Sequence, residues 1–238
     1  MLDKILLDKI LFLDIETVPA APDYHSLPQQ MQALWNKKAK LIGKPEELPE
    51  EVYEKAGIYA EFGKIVCISV GLFRPKEKTI EFRVKSFYGN DEKEILNSFF
   101  SLLHKHFNTP YHFLCAHNGK EFDFPYICRR AIINSIPLPS ILNIAGKKPW
   151  EVQHLDTMEL WKFGDYKNFT SLELLTAILD IPSPKDQMDG SEVKIYYWIK
   201  NDIESIVTYC QKDVIAIAQV LLRYRREALL DENQILYT

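Results

Sequence analysis

The chain is poor in cysteine, and none of it is paired. Cys67, Cys115, Cys128 and Cys210 are far apart and form no C-x-x-C, so neither a zinc ribbon nor a disulfide framework is indicated, and they read as reduced core thiols. Positive charge is not in excess either. A formal net charge of −4 offers no basic face of the kind a duplex binder carries, although an enzyme that gathers its acids in one metal site can still handle a polyanion. No stretch approaches the roughly 18 consecutive apolar residues of a membrane span, and "MLDKILLDKILFL" carries acids within its apolar run, against a signal peptide. The expectation is a cytoplasmic protein without membrane contact. Internal repeats and low-complexity segments are also lacking. What is there is 238 residues, 47% hydrophobic and 12% aromatic, enough to bury a substantial core in one domain or in one domain carrying an insertion.

The first apolar run, "ILFLDIETVPA" from Ile10 to Ala20, fits a buried strand and ends in two acids, Asp14 and Glu16. Positions two apart on a strand share a face, so both carboxylates project the same way. Either the strand has emerged into water there, or something cationic sits between them. Two further acids are placed where the same site could form. Asp123 follows the short strand "HFLCA" at the mouth of a helix whose first turn accommodates Pro125. Asp213 lies in the final helix with Tyr209 four residues before it, so phenol and carboxylate share a helix face, beside the apolar stripe of Ile203, Ile206, Val207, Cys210, Val214, Ile217 and Leu221.

Around these positions the pattern predicts a mixed α/β domain with a central sheet covered on both faces. From Pro19 to Phe62 the composition changes, with five of the 13 prolines and the short helical stretches "LPQQMQALWNKKAKL" and "PEEVYEKAGIYAEF", read as a partly helical surface insertion. "KIVCISVGLF" and "TIEFRVKSFY" read as a hairpin. An amphipathic helix follows in "DEKEILNSFFSLLHKHF", then the strand "HFLCAHNG", the helix "PYICRRAIINS", a strand in "EVQHLDTMELW" and the helix "TSLELLTAILDI". "PSPKDQMDGS" is a loop, and a final helix runs from about Asp202 to Leu229, with Asn201 and Glu204 resembling a capping box.

"LDIET", "HNGKEFD" and "YCQKD" resemble, in order, the three motifs of the DEDD superfamily of 3′-to-5′ exonucleases, in its DEDDy (DnaQ-like) branch, since the third has the Y-x-x-x-D form. "EFGKIVCISVG" and "SLELLTAILDIPSPKDQMDGS" are similar to a predicted exonuclease family related to the proofreading domain of family B DNA polymerases. The resemblance covers nearly the whole chain, and no length remains for a polymerase. It implies a ribonuclease H-like fold with a central mixed five-stranded sheet flanked by helices, in a single exonuclease domain over 1–238 with the insertion at about 19–62. It also implies two divalent ions, Mg²⁺ or Mn²⁺, with Asp14, Glu16 and Asp213 on the one that activates water and Asp14 and Asp123 on the second. The implied activity is removal of nucleoside 5′-monophosphates from the 3′ ends of single-stranded or frayed DNA or RNA, DNA favoured, as in proofreading or DNA repair. Tyr209 joins the four acids as a catalytic residue. The rivals are a catalytically inactive nucleic-acid-binding module of the same fold, and a sugar hydrolase using Asp14 and Glu16 as an acid/base pair.

Thr17, Asn118 and Lys185 are candidate substrate contacts, with Asn118 and Gly119 read first as a turn. His112 and His117 are read as structural or solvated, and His104 and His106 as helix-end residues facing the dipole. Asp156 could lie near the site, but no motif position demands it as a ligand. Lys37, Lys38, Lys40 and Lys44 form either a solvated face or a strand-contacting patch.

Overall fold

A computed structural model describes residues 2–76, 79–148, 151–165, 167, 169–182 and 188–238. Its frame is a mixed sheet of six strands among the described residues: β1 (Ile10–Pro19), β2 (Gly63–Lys76), β3 (Thr79–Tyr88), β4 (Phe113–Ala116), β5 (Leu155–Asp156) and β6 (Ile235–Tyr237). They lie in the order β5-β4-β1-β2-β3-β6. The hairpin partners β1–β2 and β2–β3 are antiparallel, whereas β4 runs parallel to β1, β5 to β4 and β6 to β3. The expectation of five strands is corrected to six. The last strand has only three residues, too short to leave a period-2 pattern.

Helices cover both faces: α1 (Gln29–Ile42) and α2 (Pro49–Val52) in the insertion, then α3 (Glu92–His106), α4 (Asp123–Ile133), α5 (Thr157–Lys162), α6 (Leu172–Ile178), α7 (Val193–Ile195) and α8 (Ile203–Arg225). Strand alternation decides which helix meets which residue. Leu11, Leu13 and Ile15 turn to the face under α3 and α4, packing with Phe99, Leu103, Phe124 and Ile127. Ile10 and Phe12 turn to the opposite face, onto Val214, Ile217, Ala218 and Leu221 of α8. Asp14 and Glu16 continue that second row, so their carboxylates project toward α8. By length and composition alone α8 could cross a bilayer, but its apolar stripe is the one laid on the sheet.

Opposite Glu16 the β1–β2 register shifts: Glu16 pairs with Cys67 and Thr17 with Ile65, leaving Val66 as the extra residue of a bulge. Bulges bend a strand and re-aim the side chains beside them. This one is fastened from the other face, where buried Glu92 accepts the Ile65 N–H at 2.7 Å and takes both arms of the Arg130 guanidinium at 2.8 and 2.6 Å. Farther along β2, α8 approaches the sheet closely. A Cβ on Gly71 would lie 2.2 Å from the Phe82 ring and 2.8 Å from a Val214 methyl.

The insertion has a small core of its own, in which Trp35 is surrounded by the Tyr53 and Phe62 rings. Before α8 the chain makes one turn of π-helix, Tyr196–Lys200, and Asn201 takes a left-handed φ of 51°. That extra turn moves the cap of α8 one residue on, from the expected Asn201 to Asp202, whose carboxylate accepts from the Ser205 N–H at 3.1 Å. α8 ends at Arg225, short of the expected Leu229, because Arg226 is also left-handed. The chain then folds back so that Leu230 exchanges hydrogen bonds of 2.9 and 3.0 Å with the Gln219 amide.

Candidate active site

β1 delivers Asp14 and Glu16, α4 delivers Asp123 as its first residue, and α8 delivers Tyr209 and Asp213 one turn apart. All five meet between β1 and α8. Glu16 and Asp123 are buried, 7% and 3% exposed, while Asp14, Tyr209 and Asp213 are half-buried. Burial and the charges of Asp213, Glu16 and Asp123 push the Asp14 carboxyl well above the usual carboxylate range. Glu16 is raised in the same way by burial, Asp213, Cys67 and Asp123. For Asp123, burial raises the pKa to about 7, with the charges of Asp156 and Asp213 adding to it; its own N–H and that of Ile15 act the other way. β4 ends at Ala116, before it reaches the level of Asp14, which leaves room for Asp123 beside the strand.

Such crowding is tolerable when a cation shares it. Oxygen donors of Asp14 and Glu16 and the sulfur of Cys210 all lie within 4.8 Å of one another, a spacing that one ion can bridge, and carboxylates are the donors hard divalent cations prefer. The residues therefore fit a divalent metal. Tyr209 is pushed far above a normal phenol, by burial first and then by the charges of Asp213, Glu16 and Asp14; Asp213 also accepts its hydrogen bond. At neutral pH Tyr209 is a donor and not a base.

Asn118 stands at φ 61°, and its carbonyl accepts the N–H groups of Glu121 and Phe122, so the turn reading holds for its backbone. Its side chain is different. Among the described residues, its Oδ1 is the buried side-chain oxygen without a hydrogen-bond partner, a state that calls for a ligand or water. Thr17 is not brought to the carboxylates. Its position on β1 faces α4, whose Tyr126 donates its hydroxyl to the Gly57 carbonyl at 2.7 Å. Lys185 lies outside the described residues. His117 spans Thr157 and the Thr170 carbonyl at 2.9 Å each, a structural role, and His112 bonds to Thr109 and packs at a tilt against Phe107. Lys38 sits 4.0 Å over the Tyr59 ring, and Lys37, Lys40 and Lys44 are exposed.

Two residues have roles that the sequence does not disclose. Asp156, 2% exposed, accepts from the N–H groups of Asn118, Lys120 and Met158 at 2.9 to 3.0 Å, so it caps α5 and holds the Asn118 turn together. Its position directly after a predicted strand was the only signal. Cys210 touches Asp14, and its place next to Tyr209 in the helical stripe looked like core packing.

A mixed sheet with β1 at its centre, flanked by helices on both faces and edged by acids at the end of β1, is a ribonuclease H-like exonuclease fold. Residues 58–235, well over half of the chain, match the family described as predicted 3′-5′ exonuclease related to the exonuclease domain of PolB. The chain belongs to that family. The matched span includes Asp123, Tyr209 and Asp213 but begins after Asp14 and Glu16, which the fold adds to the same site. No curated protein matches the chain.

Proposed function

We propose that the protein is a divalent-metal-dependent exonuclease that removes nucleoside 5′-monophosphates from the 3′ ends of single-stranded or frayed nucleic acid. DNA is favoured because the related PolB domain belongs to a DNA polymerase. The observation that carries the proposal is the convergence of Asp14, Glu16, Asp123 and Asp213, with the first three carboxyls raised by burial and by the charges around them. Asp14, Glu16 and Asp213 would hold one Mg²⁺ or Mn²⁺, and Asp14 with Asp123 the other. Bound there, the two ions supply Lewis-acid stabilisation of the attacking and leaving oxygens of an in-line displacement.

The chain's own groups do the positioning. Tyr209, kept protonated, would turn its hydroxyl from Asp213 to the attacking water once that carboxylate holds the ion, and so align the water. The orphaned Oδ1 of Asn118 accepts the hydroxyl of the terminal sugar, in a turn that Asp156 keeps in shape. A single-strand preference follows because the terminal bases must separate before the last phosphodiester reaches the carboxylates. The test is to incubate 3′-labelled and 5′-labelled single-stranded DNA and RNA with the protein in MgCl₂ or MnCl₂, with and without excess chelator. The expected result is stepwise shortening of 5′-labelled strands and mononucleotide from 3′-labelled ones, both stopped by chelator. Internal cuts, or activity indifferent to chelator, would overturn it.

A further inference from the structure

Beyond the last residue of β1, and separate from the carboxylate site, the insertion and the π-helical turn enclose a cleft of about 530 Å³. Pro19 at its edge is three residues past Glu16, roughly 10 Å along the strand. The walls are fixed before anything enters. Trp198 donates its indole N–H to the Pro19 carbonyl at 3.1 Å, and Tyr24 is held by Asn36 at 2.8 Å and packs edge-on against the buried Tyr53. Around these rings stand four carboxylates, Asp23, Glu50, Glu54 and Glu192. One of them already binds a cation of the chain itself, Lys194 to Glu54 at 3.0 Å. Asp23 accepts the Ser26 N–H and hydroxyl at 2.8 and 2.9 Å, and among the described residues Glu50 has no ion pair. At the mouth Ile199 is 78% exposed.

Aromatic walls with a carboxylate rim are chemistry for a planar cation. A guanidinium stacks on rings, grips one carboxylate with two parallel N–H bonds and has further donors for a second, which an ammonium does less well. The same rim repels phosphate, so the cleft is unsuited to the nucleic-acid backbone. Uncovered Ile199 at the mouth adds a contact for an apolar neighbour of the entering side chain, which a free amine lacks. We infer that this cleft is a docking site for an arginine-bearing segment of a partner protein, with the guanidinium between the aromatic wall and the Glu50 and Glu192 carboxylates and an apolar flanking residue on Ile199. A partner seated there lies beside the carboxylate site without occupying it.

Fluorescence anisotropy tests the inference on the full chain in saturating MgCl₂, which keeps the probe away from the carboxylate site. The probe is a labelled Gly-Leu-Arg-Leu-Gly peptide, compared with the same peptide carrying neutral, isosteric citrulline. The arginine peptide should bind saturably, and the citrulline peptide about tenfold or more weaker, the scale of one lost charge-assisted contact. The double variant Glu50→Gln, Glu192→Gln should weaken the arginine peptide similarly while leaving the melting temperature and metal-dependent strand degradation unchanged. Absence of binding, equal binding of the citrulline peptide, or an undiminished double variant overturns the inference. So does displacement by oligothymidylate, which would make the cleft a nucleic-acid surface, or spermine binding as tightly as the peptide, which would make it a general cation patch.

Discussion

The sulfur of Cys210 lies 3.3 Å from Oδ2 of Asp14 and 3.4 Å from the carbonyl oxygen of the same residue. One thiol on α8 thus fixes both the side chain and the backbone of the first acid on β1, and pulls its carboxyl back toward ionisation against the repulsion around it. Cys210→Ala should cost roughly 1 kcal/mol of stability, the worth of one hydrogen bond. It should also slow single-turnover cleavage several-fold by loosening Asp14. Cys210→Ser, which keeps a donor, should recover most of the rate. An alanine variant as fast and as stable as wild type would show that the contact is incidental.

Asp14, Glu16 and Asp123 all have folded-state pKa values above their unfolded ones, so the folded state holds extra protons in the window between. Their stabilising contribution is complete below the unfolded values and is lost as pH rises through the folded ones. For Asp123 the window runs from 3.8 to about 7. In chelator the stability should therefore fall across that window by on the order of 1 to 4 kcal/mol, and the melting temperature with it. Divalent metal should restore stability more at the upper end than at the lower. Melting curves in chelator and in MnCl₂ across this range would check it, and parallel curves in the two conditions would refute it.

Asp213→Asn removes a candidate ligand and one repelling charge together. Turnover should be lost, while stability in chelator at neutral pH should rise, since the causes raising Asp14 and Glu16 include Asp213. Tyr209→Phe is the milder change. It removes one positioned donor, so turnover should drop on the order of 10- to 1,000-fold, with metal affinity retained. Single-turnover rates paired with calorimetric metal titrations separate the two. A phenylalanine variant with wild-type speed would remove Tyr209 from the mechanism.

Glu92 and Arg130 form a nearly dry pair, with side chains 8% and 11% exposed. Glu92→Gln leaves the guanidinium without its charge partner and should destabilise by about 3–5 kcal/mol in urea denaturation. Adding Arg130→Met should recover part of that loss. If the single and double variants are equally unstable, the pair matters through its packing and not its charges.

The parts of this site that could be read in advance were those with a period or a spacing. Asp14 and Glu16 share a face because strands alternate, and Tyr209 meets Asp213 because helices repeat; both hold in the structure. The bulge at Val66 had no such signature, since "KIVCISVG" alternates no differently on either side of it and the extra residue is defined only by its partner strand. β6 was lost for its brevity, and the π-turn before α8 because wide turns have no residue code to betray them. Cys210 reads as core packing and Asp156 only as a neighbour of the site, because what defines each is a contact distant in sequence: with Asp14, 196 residues away, for the thiol, and with Asn118 and Lys120 for the carboxylate.

The place on β2 where Gly71 faces Phe82 and Val214 has no room for one more carbon. Val214 is the neighbour of Asp213, and Gly71 is two residues along β2 from Ser69, which pairs with Asp14. A hydrogen atom at residue 71 is therefore what lets the Phe82 ring and the Val214 methyl close over the strand beside the carboxylate cluster. An alanine there must displace the Phe82 ring first and press on Val214 next, so a methyl group that alters no acid reaches the neighbour of Asp213.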